Sequence, residues 1–329
     1  MKNLKTRLLS LLLLPFAAPI WAADFVELEV FGKGSFDLGL WAMGDGTQTF
    51  SHLNCAGSAD TKKKKPKAKD NRMPYRFQLT DLSSPPGYYL YLDGDDTNTG
   101  NARIYVQWQH RDIREGTAYE SLTDGFYDNH AHLGQFRNCP DGNNSEILAT
   151  ISSLELQKAR AGSYTGQFEG KIIGGSKGTR TDAQTLSLSI SVANIVRVTA
   201  LDNIGLGLWD GVSNMVGSET FCVYSNNTAA AYQLTFSSSQ MTGAGEFRLA
   251  DAGQTEYLTY SVTFNDAVGA GAGTPIVGGV PVAGTGNNTD PACSGIDNAT
   301  VTVTVAAADL SGVTPQTYGD TLTILVAPQ

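Results

Sequence analysis

"TLSLSISV", residues 185–192, alternates polar and apolar side chains without interruption. Leu186, Leu188, Ile190 and Val192 fall on one face and Thr185, Ser187, Ser189 and Ser191 on the other, the period-two pattern of a half-buried β-strand. The stretch lies between two segments that look like copies of each other. Which copy owns it decides how the chain is built.

The copies align from both ends. "FDLGLW" at 36–41 matches "IGLGLW" at 204–209, and in each copy a cysteine follows the tryptophan: Cys55 after Trp41, Cys222 after Trp209. Later, Cys139 precedes Tyr164 by 25 residues and Cys293 precedes Tyr318 by 25. Two copies of one unit account for this spacing. Setting Trp41 on Trp209 places Val192 opposite Asp24, so the first copy has no counterpart of the alternating stretch. It is an addition between "GSYTGQFEGKI" and "IVRVTAL". Either it completes the first copy or it lengthens the first strand of the second.

Within each copy, short alternating runs such as "AYQLTF", "YLTYSVTF", "NATVTVTV" and "DTLTILV" are separated by Gly, Asn and Asp turns. No convincing amphipathic helix interrupts them. With 36 glycines and only 17% charged residues, the composition suits all-β structure. Two tandem immunoglobulin-like β-sandwiches are expected, with an up-and-down barrel as the alternative for each.

The chain opens with Lys2, Lys5 and Arg7, an apolar stretch "LLSLLLLPFAAPI" and the small residues of "WAAD", the pattern of a secretory signal peptide over residues 1–23. An exported chain with four cysteines reads as two disulfides before it reads as a metal site. Cys55–Cys139 and Cys222–Cys293 is the pairing that keeps each bridge within its repeat. The domain reading is therefore 24–183 for the first sandwich, 184–194 for the added strand and linker, and 195–329 for the second sandwich.

A two-cysteine repeat with "LGLWDG" near its start and "YGDTLTILV" at its close resembles the spore coat protein U-like domain, the subunit type of archaic chaperone–usher pili. The resemblance is close over 195–329 and weak over 24–183. It implies a sandwich that lacks its final strand and keeps an open apolar groove. A periplasmic chaperone fills that groove first, and a strand from a neighbouring pilus subunit replaces it at the outer-membrane usher. Under this resemblance Leu186, Leu188, Ile190 and Val192 are the pegs of a donor strand that closes the first sandwich within the same chain. The second sandwich then accepts a strand from another molecule. With no donor extension ahead of its first strand, such a subunit belongs at the end of a fibre, as a two-domain tip adhesin.

Candidate chemistry concentrates in the first copy. "DTKKKKPKAKDNR" (60–72) carries Lys62, Lys63, Lys64 and Lys65; charge runs of this kind are more often a solvated loop, and the functional alternative is an anionic surface. "PPGYYLYLDGDD" (85–96) offers Tyr88, Tyr89 and Tyr91 as an aromatic platform for a sugar or apolar receptor, or as an ordinary strand. "DGDDTNTGN" (93–101) only superficially resembles a calcium loop. In "DNHAHLG", His130 and His132 share a strand face beside Asp128 and would need a third ligand to hold zinc, so no metal or cofactor is expected. Trp108 reads as core. No nucleophile elbow, zinc-protease helix or phosphate loop is present, and no nucleic-acid-binding motif accompanies the lysines. The expectation is a binding protein without catalysis. A structural pilus subunit or secreted coat protein without a ligand is the alternative, and a carbohydrate-active enzyme is a third.

Overall fold

The computed structural model describes residues 34–60, 71–136, 139–269, 271 and 273–329, together with the backbone of Phe25–Val30. The expected signal peptide and Lys62 to Lys65 lie outside the described residues.

Strands dominate the regular structure of the described residues, with two short α-helices at Ser153–Lys158 and Ala307–Leu310. The first half supplies β1 (Phe25–Val30), β2 (Ser35–Trp41), β3 (Gln48–Ala59), β4 (Pro74–Asp81), β5 (Tyr89–Leu92) and β6 (Arg103–Tyr105). It continues with β7 (Gln107–Asp112), β8 (Glu120–Ser121), β9 (His132–Leu133), β10 (Ser145–Ile151), β11 (Gly162–Gly174) and β12 (Arg180–Val192). One sheet has the order β1-β3-β10-β7-β8 and the other β2-β12-β11-β4-β9, with β5 and β6 attached beside β11. Period-two burial along β4 and β11 turns one side of each strand into the space between the sheets.

β12 holds the deciding stretch, and it belongs to the first half. It pairs antiparallel with β11 along thirteen residues, from Gly162 opposite Val192 to Gly174 opposite Arg180. On its other side it runs parallel to β2, with Leu188 opposite Phe36. Leu186, Leu188, Ile190 and Val192 are at most 3% exposed and join a core with Trp41, Trp108 and Phe168. Burial of four such side chains contributes roughly 1.5–3 kcal/mol each. The strand is longer at its start than the sequence pattern suggests, because residues 180–184 continue the hairpin with β11.

The second half supplies β13 (Val196–Thr199), β14 (Met215–Ser225), β15 (Ala231–Ser238), β16 (Phe247–Asp251), β17 (Tyr257–Asn265), β18 (Thr274–Ile276), β19 (Val282–Thr285), β20 (Ala299–Val305), β21 (Tyr318–Gly319) and β22 (Leu322–Pro328). Its larger sheet has the order β13-β14-β20-β17-β16-β21, with β18 beside β17; the smaller is β19-β15-β22.

Matching details repeat in both halves. The disulfides are Cys55–Cys139 and Cys222–Cys293. The Trp41 and Trp209 indoles donate to the Gly46 and Ser213 carbonyls. The hydroxyls of Tyr164 and Tyr318 donate to the carbonyls four residues upstream, at Arg160 and Thr314. Each tyrosine thus ties the start of its strand to the turn before it.

The halves meet through Asn226 and Tyr224. Asn226 is fully buried; its amide nitrogen donates to the carbonyls of Ala159 and Ala193, and its amide oxygen accepts from the Ile195 amide at 2.7 Å. Tyr224 comes from β14 but is buried among the first half's core residues, and its hydroxyl donates to the Gln157 carbonyl at 2.8 Å.

Candidate functional site, an open groove in the second sandwich

The two halves differ where β12 lies. In the first half, β11 is flanked by β4 on one side and β12 on the other. Its counterpart β22 pairs with β15 alone, and segment 203–209, the counterpart of β2, forms no strand among the described residues. Between β22 and residues 201–206 runs a cavity of about 310 Å³. Its walls include Leu201, Ile204 and Leu206 on one side and Leu322 and Ile324 on the other, over Leu249, Val301 and Val303.

Burial follows from this difference. Phe168 and Ile172 of β11 are fully buried, whereas Leu322 and Val326 at the matching places on β22 are only half-buried. Four partly buried apolar residues flank the first core among the described residues. Fifteen flank the second, including Ile204, Leu206, Leu322, Ile324 and Val326. The outer wall is also thinner. Phe36 packs on Phe50 at 4.4 Å in the first half, but the second half has Gly217 in the matching place, with Ile204 and Leu206 settled over it. An apolar trough beside an unpaired strand edge is suited to one chemistry, addition of an extended strand with apolar side chains at alternate positions.

Polar groups mark one end of the trough. Asp320 accepts from Tyr260 at 2.5 Å and from Ser239 at 2.7 Å. Burial works against its charge, but the hydroxyl donors Ser238, Tyr260 and Ser239 hold its pKa below the usual carboxylate value. Burial and the same carboxylate raise the Tyr260 phenol. Asp320 thus remains an anion that ties the start of β22 to the opposite sheet.

The first-half candidates do not form one surface. β11 gives the scale: Gly162 lies at the junction with the second half and Gly174 at the far pole, beside Ser58 and Pro74. The described residues on either side of the lysine-rich segment, Asp60 and Asn71, lie at that far pole, where the Asp60 amide donates to the Asn71 carbonyl. Segment 93–101 lies at the opposite end, since the Asp93 amide donates to Ser163 and the Asn101 side chain to Asn288 of the second half. Roughly 35 Å of strand separates the two. Tyr88 and Tyr91 are buried, so the aromatic platform expected from the sequence is not there. Tyr88 enters the core, whereas Tyr91, on the same strand face as Tyr89, is buried beneath the 83–85 turn, where its hydroxyl donates to the Pro85 carbonyl. Tyr89 alone is half-exposed, under the Arg103 guanidinium at 4.1 Å and against the Tyr105 ring.

The histidine pattern is also rearranged. His130 is exposed and turns to Glu120, whereas His132 is buried. Its Nε2 lies 2.9 Å from Asp128 Oδ2, and the same oxygen lies 3.0 Å from Nδ1 of His110. Sequence reasoning missed His110, which is 18 residues from Asp128 and on another strand; its only signal was a polar residue at an inward position of β7.

No protein-family model matches the chain, and no curated protein matches it. Solved structures do resemble it. The chaperone–tip adhesion subunit pre-assembly complex of archaic chaperone–usher Csu pili of Acinetobacter baumannii is 13% identical, with 91% of this chain and 99% of that chain covered at a TM-score of 0.48. The adhesive subunit of CFA/I fimbriae of enterotoxigenic Escherichia coli is 13% identical, with 91% and 94% covered at 0.36. The CupB6 tip adhesin of Pseudomonas aeruginosa is 9% identical, with 92% and 93% covered at 0.33.

Proposed function

We propose that this chain is the tip adhesin of a chaperone–usher pilus, exported through the periplasm to the cell surface. The observation that carries this reading is the contrast between the halves: β12 seals the first sandwich from within, and the matching place in the second is an open groove with an aliphatic floor and a polar rim that includes Asp202, Glu219 and Asp320. The second sandwich takes a strand from a periplasmic chaperone, and then from the neighbouring subunit at the outer-membrane usher. The first sandwich needs no such strand, which leaves its far pole free for a receptor.

Receptor contact is assigned to that far pole, through the lysine-rich segment 61–70 and the exposed hairpin turn that carries Lys177 and Arg180. The cations draw in an anionic surface, and loops on a rigid sandwich supply the specificity.

The test uses the chain's own donor. Because Gln329 corresponds to Gly175, a copy of residues 176–192 added after Gln329 places a second "TLSLSISV" beside β22. The added strand is expected to make the protein monomeric without a chaperone and to abolish binding of a hydrophobic dye. Replacing its Leu and Ile pegs with Asp should cancel both effects. An extended chain that binds dye and aggregates like the parent would refute strand acceptance. Deletion of 61–70 from the self-complemented chain tests adhesion separately: unchanged attachment to anionic surfaces would favour a structural subunit.

A further inference from the structure

We propose that the first sandwich holds a divalent transition-metal ion of the zinc class, bound by Nδ1 of His110, Oδ2 of Asp128 and Nε2 of His132. These three atoms come from both layers. His110 is on β7 of one sheet, and His132 opens β9 of the other. Asp128 is fixed to that second sheet through its Oδ1, which accepts from the Phe77 amide on β4 at 3.1 Å. The ligand atoms lie within 4.8 Å of one another, and the two contacts to Asp128 Oδ2 are 3.0 and 2.9 Å. Zinc bonds of about 2.0–2.2 Å in a tetrahedron give ligand-to-ligand edges of roughly 3.3–3.5 Å. The two edges at Asp128 Oδ2 need to open by only a few tenths of an ångström.

The surroundings match those of metal-binding histidines, whose second nitrogen is normally held by an outer partner. His110 Nε2 lies 3.0 Å from the Ser145 hydroxyl. Metal on Nε2 of His132 puts that ring's proton on Nδ1, which faces Glu115 at 3.9 Å in a group that includes Asp112. Hydrogen bonding alone fits less well. With both imidazoles donating to Asp128 Oδ2, His132 Nδ1 is a buried acceptor without a donor, and Asp112 Oδ2 is likewise buried and unpartnered. The carboxylates of Asp112 and Asp128 are both buried here, and two buried anions call for a compensating cation, which a bound metal supplies where His132 is neutral and a protonated His132 supplies where it is not. Phe77 stacks on His110 at 4.6 Å and Tyr75 lies against His132 at 5.5 Å, which shields the site from bulk solvent and leaves one water to complete the tetrahedron. The ion cross-links the sheets and anchors the long connection from β7 to β10, as the disulfide Cys55–Cys139 does at the far pole.

The test uses the full chain extended by the donor copy after Gln329, so that it stays monomeric, exported and purified without a polyhistidine tag, with metal content measured by mass spectrometry. Stoichiometric zinc is expected. Unfolding in urea with chelator, disulfides intact, then refolding with Co²⁺ should give the strong visible bands of a tetrahedral site. Asp128→Asn and His132→Gln should lower the bound metal at least tenfold. A parent that carries no zinc and shows neither cobalt bands nor a raised melting temperature with added Zn²⁺ overturns the proposal. So does full metal content in both variants. The cobalt spectrum of the parent decides the question even if a variant fails to fold.

Discussion

Leu188→Ala tests the central structural claim, that β12 is a core strand of the first sandwich. Leu188 is fully buried, opposite Gly166 on β11 and Phe36 on β2. The space at Gly166 is already taken by Leu90 and the Phe168 ring, so neighbours have little room to close the hole. A poorly collapsing Leu→Ala site costs about 3–5 kcal/mol. For a domain of this size each kcal/mol lowers the melting temperature by about 2–4 °C, so a drop of roughly 6–20 °C is expected. Trp41 and Trp108 are fully buried in the first core, whereas Trp209 reports the second half. In a Trp209→Phe background, tryptophan fluorescence therefore follows the first sandwich during thermal and urea unfolding. The control is Ser191→Ala, on the outer face of the same strand, with an expected change within about 0.5 kcal/mol. If Leu188→Ala behaves like this control, β12 is not a core strand. If Trp209 moves instead in the parent background, the strand belongs to the second half.

Asn226→Ala removes three buried hydrogen bonds at the junction and leaves the Ala159 and Ala193 carbonyls unpaired. At about 1–3 kcal/mol per orphaned group, it should speed proteolysis between the halves without unfolding either, as seen by fragment mass. Selective reduction of Cys55–Cys139, which closes a separation of 84 residues, should cost roughly 4.5 kcal/mol in urea unfolding. Burial opposes the charge on Glu146, but hydrogen bonds from Ser51, Arg111 and Tyr119 hold its pKa below the usual glutamate value. Its stabilising contribution is complete above the unfolded pKa and is lost as the pH falls through the lowered folded one. Arg111→Gln should therefore move acid unfolding, followed by circular dichroism, to higher pH.

What the sequence revealed depended on whether the signal was local. The strand at 185–192 was legible because four apolar residues at alternate positions face one core. Its partner was not, because the repeat left open whether it completes the first copy or lengthens the second, and the ladder with β11 decides it. Both disulfides followed from the same repeat. The tyrosine cluster misled because β5 buries two consecutive residues, Leu90 and Tyr91, so simple alternation fails beside the attached β6. The groove was implied by the family resemblance, but its walls emerged only in three dimensions, since β22 and residues 201–206 are more than 100 positions apart. His110 joined Asp128 and His132 only once the connection from β7 had folded back between the sheets.

The thirteen-residue ladder between β11 and β12 also has a mechanical consequence. β12 leaves the first sandwich at Val192, and the chain reaches the Asn226 junction within three residues, at Ile195. Tension between a far-pole contact and the second half therefore pulls β12 along its own axis, against β11 on one side and β2 on the other. Many rungs then bear the load together in shear, and none can be opened singly from one end as in peeling. The first sandwich should yield at far higher force when stretched along this line than when β12 is lifted from Arg180, a difference that single-molecule pulling from two attachment geometries would measure.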